Sequence, residues 1–127
     1  MTILFDTNVL IDAAVSTRAY HGAAVRLVAA AESGEIDGLF APTSVATCWY
    51  VAYEREQTDP RPLFDLLADV MRLAPMGRPA LRAALQATAT DDFEDAYLAA
   101  AGAAAGASVV ATRNESDFER TSLTPYH

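Results

Sequence analysis

Four aspartates occur where the sequence predicts the end of a buried strand or the start of a helix. Asp6 directly follows the apolar run MTILF, and Asp117 follows the β-branched run SVVAT through a short turn. Asp92 and Asp95 are three residues apart, so they share one face of the helix that begins there. Because functional groups gather beyond the carboxyl ends of parallel strands, these distant side chains are expected to converge.

The chemistry that suits such a site is metal-assisted hydrolysis. Three or four carboxylates in one cleft repel one another unless protons or cations intervene. Oxygen ligands without clustered histidine or cysteine favour hard ions, so we expect Mg²⁺ or Mn²⁺ rather than Zn²⁺. One or two such ions would activate water, orient a phosphate and offset the negative charge of the transition state. The predicted reaction is hydrolysis of a phosphodiester bond.

Each aspartate also has a structural interpretation. Asp92 and Asp95 are favoured at a helix N-terminus by the macrodipole alone, and Asp6 is suited to cap a helix beginning near Asn8. Asp117 alone is typical of a turn residue. It is the combination of the four that indicates a site.

For the other polar residues near these motifs, we expect mainly structural roles. Asp91 and Glu94 point away from the shared helix face and suit the helix N-terminus as cap and reciprocal partner. Arg113 either contacts a phosphate or is simply solvent-exposed. Tyr20 either packs at the start of a helix or stacks on a base. Asp12 is expected at the surface or at a helix end, and Arg18 is expected at the surface.

The elements that must position these residues alternate between short apolar runs and helices. The predicted strands are ILF, GLFAP, RLAPM and SVVAT. Helices are predicted over residues 20–33, 43–57, 63–70, 79–87 and 91–107, the first of them ending at Gly34. The alanine- and glycine-rich part of the last helix is expected to pack closely on the sheet. This order predicts an α/β fold with three layers, α/β/α, around a parallel sheet of four or five short strands.

Length and composition bound the class of protein. The 127 residues fit one domain, 1–127, and 52% of them are hydrophobic, which excludes a disordered chain. No apolar run reaches the ~20 residues of a membrane span, and no secretory signal is recognisable, so a cytoplasmic protein is expected. The single cysteine, Cys48, is expected in the core.

The charge balance argues against a broad nucleic-acid coat. The net charge is −8, and all nine basic residues are arginines. A protein with so little positive potential must contact nucleic acid locally. The acidity instead suits cation binding or a basic protein partner.

Three segments of the sequence resemble motifs of the PIN domain family, small magnesium-dependent nucleases that include toxins of bacterial toxin–antitoxin pairs. FDTNVLID resembles the opening motif, which implies that Asp6 binds the metal and Asn8 supports it. DFEDA before an alanine-rich helix is similar to the third acidic position, which implies Asp95 as a ligand. Asp92 is similar to an extra acid of one subgroup.

The closing motif of the family is similar to ATRNESDF. This resemblance implies Asp117 as a further ligand, with Thr112 and Asn114 as nearby polar support. Together with the other two segments, it covers nearly the whole chain in the expected order.

One position departs from the family pattern. Many PIN nucleases place a glutamate in the helix after the second strand, where this chain offers Thr47 or Cys48. Glu54 lies about two turns further on and is expected to be too distant. Threonine supplies a hydroxyl but no charge, so either Asp92 completes the site or the site binds metal more weakly.

The resemblance implies a metal-dependent endoribonuclease that acts as the toxin of a type II toxin–antitoxin pair, with RNA as substrate and an antitoxin protein as partner. It also implies a homodimer, packed through helices such as the one carrying Trp49, Tyr50 and Tyr53. An alternative is a catalytically weak or degenerate PIN module that binds RNA or protein without turnover. A phosphatase with an aspartate nucleophile ranks last, because it needs a second acid where this chain has Asn8.

Overall fold

A computed structural model describes residues 1–87, 92–114, 118 and 123–126 of the chain. Helices and strands alternate along most of it. In chain order the elements are β1 (Thr2–Phe5), α1 (Thr7–Ala14), α2 (His21–Glu32), β2 (Asp37–Phe40), α3 (Pro42–Trp49), a π-helical segment (Tyr50–Arg55), α4 (Arg61–Val70), β3 (Arg72–Leu73), α5 (Arg78–Gln86), α6 (Phe93–Ala104), β4 (Val109–Ala111) and β5 (Thr124–Tyr126).

The strands form one parallel sheet in the order β3-β2-β1-β4-β5. β1 lies in the centre, with Thr2 opposite Asp37 of β2 and Phe5 opposite Ala111 of β4. Because all strands run the same way, the residues that follow β1, β2 and β4 lie along one edge of the sheet. The predicted fold class is confirmed.

Two apolar cores lie on opposite faces of the sheet, as the alternation of side chains along a strand requires. Ile3 and Phe5 face a core formed with helices α1, α2 and α4. Leu4, between them, faces the second core, to which α6 and Phe118 contribute. These two cores give the α/β/α layering.

Helix α6 approaches the sheet closely through its small residues. A Cβ atom placed on Gly102 would lie 3.1 Å from Cδ2 of Leu4 and 3.2 Å from Cδ1 of Leu123. These separations are tighter than ordinary packing between carbon atoms. The alanine- and glycine-rich tract is therefore a packing surface, as predicted.

Helix boundaries agree with the sequence to within two residues except in two helices. The helix predicted over residues 91–107 is shorter, Phe93–Ala104, and Gly106 beyond it has a φ of +94°. Helix α2 ends just before Gly34, whose φ of +85° is the left-handed conformation that glycine adopts without strain. The single helix predicted over residues 43–57 instead becomes π-helical after Trp49, and the N–H of Glu56 donates to the carbonyl of Val51 at 3.1 Å. Among the described helices, none combines the length and apolarity needed to cross a bilayer.

Candidate functional site

Asp6 occupies the junction between β1 and α1 and is only 5% exposed. Its N–H donates to the carbonyl of Ala111 at 3.0 Å, which fixes the junction against β4. Its carboxylate accepts the N–H of Thr7 through Oδ1 and the hydroxyl of Thr112 through Oδ2, both at 2.8 Å. Asp6 is therefore the N-cap of α1, and its orientation is set by two strands and a helix.

Thr112 lies behind Asp6, immediately after β4, and is 3% exposed. Its hydroxyl donates to Asp6 and accepts the N–H of Asn114 at 2.9 Å. In this contact Asn114 acts through its backbone. Thr112 thus links the turn after β4 to the carboxylate at the end of β1 through two hydrogen bonds.

The N-terminus of α6 carries the next acids. Asp92 is its N-cap, and its carboxylate accepts the N–H of Asp95 at 3.3 Å. The prediction that Asp91 caps this helix is therefore wrong, because the residue one position later holds the cap; Asp91 itself lies outside the described residues.

One cavity of about 290 Å³ brings the acids together. Of the four predicted ligands, Asp6, Asp92 and Asp95 contribute to its wall, and Asp117 lies outside the described residues. Its described lining consists of Asp6, Thr7, Asn8, Ile11, Thr47, Val51, Asp92, Glu94 and Asp95. Asn8 lines this cavity directly, whereas Thr112 supports Asp6 from behind.

Glu94 is a site residue that the sequence reasoning missed. It lines the cavity, and its pKa is raised, first by burial and then by the charges of Asp92 and Asp6. The prediction that it points elsewhere is wrong. Helical spacing separates the sides of a helix, but this cavity lies at the end of α6, where the side chains of both Glu94 and Asp95 line it. An acidic first turn was the available signal.

Two helix N-termini face the acidic cavity, because Asp6 caps α1 and Asp92 caps α6. The positive ends of these helices offset part of the repulsion among four carboxylates. None of the described lining residues is basic. Within the described part of the chain, no three His, Cys, Asp or Glu side chains are grouped closely enough to hold a metal ion among themselves.

The wall formed by α3 carries no acid at the position where the family pattern has glutamate. Thr47 lines the cavity there, and its hydroxyl donates to the carbonyl of Thr43 at 3.2 Å. Cys48 is instead fully buried, as predicted for a core residue, and Glu54 is absent from the described lining. Nearby, the hydroxyls of Thr7 and Ser44 are 2.7 Å apart and join α1 to α3.

A second polar cluster lies further along α1. Asp12 is in the last turn of this helix, as one of its two expectations had it, but it is buried, 1% exposed, so the surface alternative is wrong. Nε of Arg18 donates to its Oδ1 at 2.9 Å, and Nε of Arg113 donates to its Oδ2 at 2.7 Å. Arg18 is therefore part of a partly buried ion pair rather than a free surface side chain, because the turn after α1 brings it back over the helix.

The sequence belongs to the PIN domain family, whose model matches residues 2–116. This result confirms the family assignment drawn from the three motifs. No curated protein matches the sequence.

The fold is similar to that of a chain in the crystal structure of VapBC2 from Rickettsia felis, which is bound there to a DNA fragment from the VapBC2 promoter. The TM-score is 0.70, the sequences are 14% identical, and the likeness covers 99% of this chain and 98% of that one. At this identity the likeness shows the fold alone, over the full length of the domain.

Proposed function

We propose that this protein is a Mg²⁺- or Mn²⁺-dependent endoribonuclease. The observation that carries the proposal is the cavity at the carboxyl edge of a parallel sheet, lined by Asp6 and by the three acids Asp92, Glu94 and Asp95 of α6. PIN domains are generally nucleases, and this chain belongs to that family.

The donor set fits a hard divalent ion. Every ionisable group of the described lining is a carboxylate, and the remaining polar groups are hydroxyls and an amide. Mg²⁺ keeps several waters and takes one or two carboxylates together with substrate phosphates. Such a site needs no group of three protein ligands, so the wider spacing of the described acids is compatible with it. When bound, the ion would supply an activated water and offset the charge of the phosphate.

Each acid has a separate role in this proposal. Asp6 is a ligand held in one orientation by the N–H of Thr7 and the hydroxyl of Thr112. Asp95 would bind the ion from α6, Asp92 would assist it through a bound water, and Asp117 would be a further ligand, as its place in the closing motif of the family suggests. Asn8 would orient a ligand or the substrate from the cavity wall.

The biological role that we propose is that of a toxin restrained by an antitoxin. The similar fold of VapBC2 from Rickettsia felis supports this role, and the acidity of the chain, with a net charge of −8, suits a basic partner segment. A homodimer in the cytoplasm remains part of the prediction.

Cleavage of an RNA pool by the purified protein tests the enzymatic proposal. We expect cleavage with Mg²⁺ or Mn²⁺, none with EDTA, and none by Asp6→Asn. Asp37→Asn is the matched control. Asp37 pairs with Thr2 at the amino-terminal ends of β2 and β1, whereas the acidic cavity lies at the carboxyl ends of the strands. The proposal fails if no metal supports cleavage of any RNA and Asp6→Asn leaves cellular toxicity unchanged.

A second candidate is a PIN module that binds RNA or protein without turnover. This candidate is favoured by Thr47, which lines the cavity but contributes no charge to it. The two candidates differ in the effect of Thr47→Glu. If the wild-type site is complete, the added charge changes cleavage little. If the domain is degenerate, wild type binds RNA without cutting it, and Thr47→Glu is the variant expected to restore turnover.

A further inference from the structure

We propose that a second cavity, formed by Arg18, Tyr20 and Arg113 around Asp12, binds a nucleotide of single-stranded RNA that flanks the scissile phosphate. This inference rests on the proposed ribonuclease function, since it assigns a substrate subsite to it. The cavity has a volume of about 400 Å³ and shares no described lining residue with the acidic cavity.

The two guanidinium groups are held in place by one buried carboxylate. Asp12 accepts from Nε of both arginines, and an additional N–H of Arg113 reaches its Oδ1 at 3.4 Å. The arginine side chains remain 25% and 29% exposed. Both arginines line the cavity, and each guanidinium has five N–H groups, more than its contacts with Asp12 and Glu56 use. Fixed, planar donors of this kind recognise phosphate oxygens well.

An aromatic ring completes the cavity. Tyr20 is 54% exposed, and the guanidinium of Arg113 lies over its ring, 4.9 Å from the centroid. Bases of single-stranded nucleic acid stack on exposed aromatic rings and on guanidinium planes. Arg113 and Tyr20 therefore offer a surface for a base beside donors for its phosphate.

The charges of this cavity balance, whereas the chain as a whole is acidic. Arg18 and Arg113 are matched by Asp12 and by Glu56, which meets Arg18 at 3.3 Å near the surface. The formal charge of the lining is therefore zero, against four carboxylates around the acidic cavity and a net charge of −8 for the chain. A phosphate is repelled less here than at the acidic cavity, and solvent and salt weaken the outer pair with Glu56.

The chain connects this cavity directly to the acidic one. Arg113 follows Thr112, which donates to Asp6, and Asp12 lies on the helix that Asp6 caps. A rise of about 1.5 Å per residue places Asp12 roughly 9 Å along α1 from Asp6. RNA leaving the acidic cavity along α1 would therefore meet Tyr20 and the two arginines.

The proposal is tested by RNA binding in the Asp6→Asn protein, which is used as the parent because it should not cleave. Fluorescence anisotropy in Mg²⁺ measures its affinity for a fluorescein-labelled single-stranded RNA of random sequence. Loss of one stacked base by Tyr20→Ala should weaken binding at least about fivefold, and Tyr20→Phe should retain it. Arg18→Gln should reduce the slope of log K against log salt by about 0.7, the value for one phosphate contact on a single strand.

Arg72→Gln is the matched control. It also removes an arginine from an ion pair with an aspartate, but Asp37 lies at the amino-terminal end of β2, away from both cavities. It should leave the salt slope unchanged. RNA carrying 5-iodouridine should form a photo-crosslink to Tyr20, which a merely structural role would not produce. Thermal unfolding identifies any variant that fails to fold; Tyr20→Ala changes an exposed ring and carries the test if Arg18→Gln is unfolded.

The subsite proposal is overturned if the parent does not bind RNA, or if Tyr20→Ala and Arg18→Gln bind as the parent does and no crosslink reaches Tyr20. Its failure is separable from failure of the proposed function. Wild-type cleavage with unaltered binding by the cavity variants would leave a nuclease without this subsite. Binding that depends on Tyr20 in a protein that never cleaves would leave the subsite in a noncatalytic domain.

Discussion

At the scale of single residues, Asp6 combines a structural and a chemical position. Its carboxylate caps α1 and also forms part of the wall of the acidic cavity. Its second oxygen accepts the hydroxyl of Thr112, just after β4, as a buried carboxylate requires. The capping interpretation is therefore correct without excluding the proposed catalytic role.

Asp95→Asn should separate catalysis from folding. We expect RNA cleavage to fall at least about a hundredfold, since even outer partners of metal ligands can cost that much. Stability without metal should be unchanged or slightly higher, because one charge is removed from a cavity that Asp6, Asp92 and Glu94 also line. Cleavage assays and thermal unfolding in EDTA measure the two effects.

Asp69→Asn, on the exposed side of α4, is the control for that experiment and should alter neither property. Wild-type cleavage by Asp95→Asn would remove Asp95 from the mechanism.

Cys48 should be chemically inert in the folded protein. Burial raises the pKa of its thiol to about 12, and the side chain is inaccessible. Because the thiolate is the reactive form, reaction with a disulfide reagent at pH 8 should be slow in buffer and fast in denaturant. Rapid reaction of the native protein would show that the helix containing Cys48 opens readily.

At the scale of elements, the contact between α6 and the sheet places three of the acids. Helix α6 can carry Asp92, Glu94 and Asp95 to the end of β1 only if its small residues lie flat on the sheet. Gly102 is one such point, where an added Cβ would lie 3.1 Å from Leu4 and 3.2 Å from Leu123.

Gly102→Val should therefore destabilise the domain by about 1–3 kcal/mol, the usual cost of overpacking a core. Denaturant unfolding measures this loss. Ala103→Val, one residue further along α6 on its exposed side, is the control and should cost only the smaller helix-propensity difference. Equal effects of both variants would contradict the close packing of α6.

An ion pair between β2 and β3, at the amino-terminal end of β2, makes a pH-dependent contribution to the stability of the fold. Arg72 donates to both carboxylate oxygens of Asp37, and this hydrogen bonding lowers the pKa of Asp37. Because the folded pKa is the lower one, the pair contributes stability above the unfolded pKa of about 4 and loses it as pH falls through the folded value.

Thermal unfolding of wild type and Arg72→Gln should therefore differ slightly at pH 7 and converge near pH 2. The difference at pH 7 should be small, since both side chains are about half exposed. A gap that widens toward low pH would have the wrong sign for this pair.

At the scale of the whole molecule, the distribution of charge links stability to ions. The chain has 17 acidic and 9 basic residues, and at least four of the acids share one cavity. A cation that binds only the folded state stabilises it by mass action.

Mg²⁺ should therefore raise the melting temperature of wild type more than sodium does at equal ionic strength. The specific increase should be reduced in Asp6→Asn and preserved in Asp37→Asn. An equal response of all three proteins would indicate general charge screening rather than a metal site.

Much of the domain could be predicted from local patterns. Short apolar runs between amphipathic helices indicated a parallel sheet with helices on both faces, because such strands must be covered on each side. The aspartates at strand ends indicated the acidic edge, and the PIN motifs identified the family that the comparison then confirmed.

The sequence alone thus determined the kind of fold, the family and the edge at which acids gather, since these depend on periodicity and on the order of elements. The tertiary structure decided which first-turn acids of α6 reach the cavity, as for Glu94, and which charges are buried, as for Asp12. Spacing gives the direction of a side chain around its own helix, but burial depends on what another part of the chain places beside it. Arg113 meets Asp12 across 101 residues of sequence, a contact that no local pattern specifies.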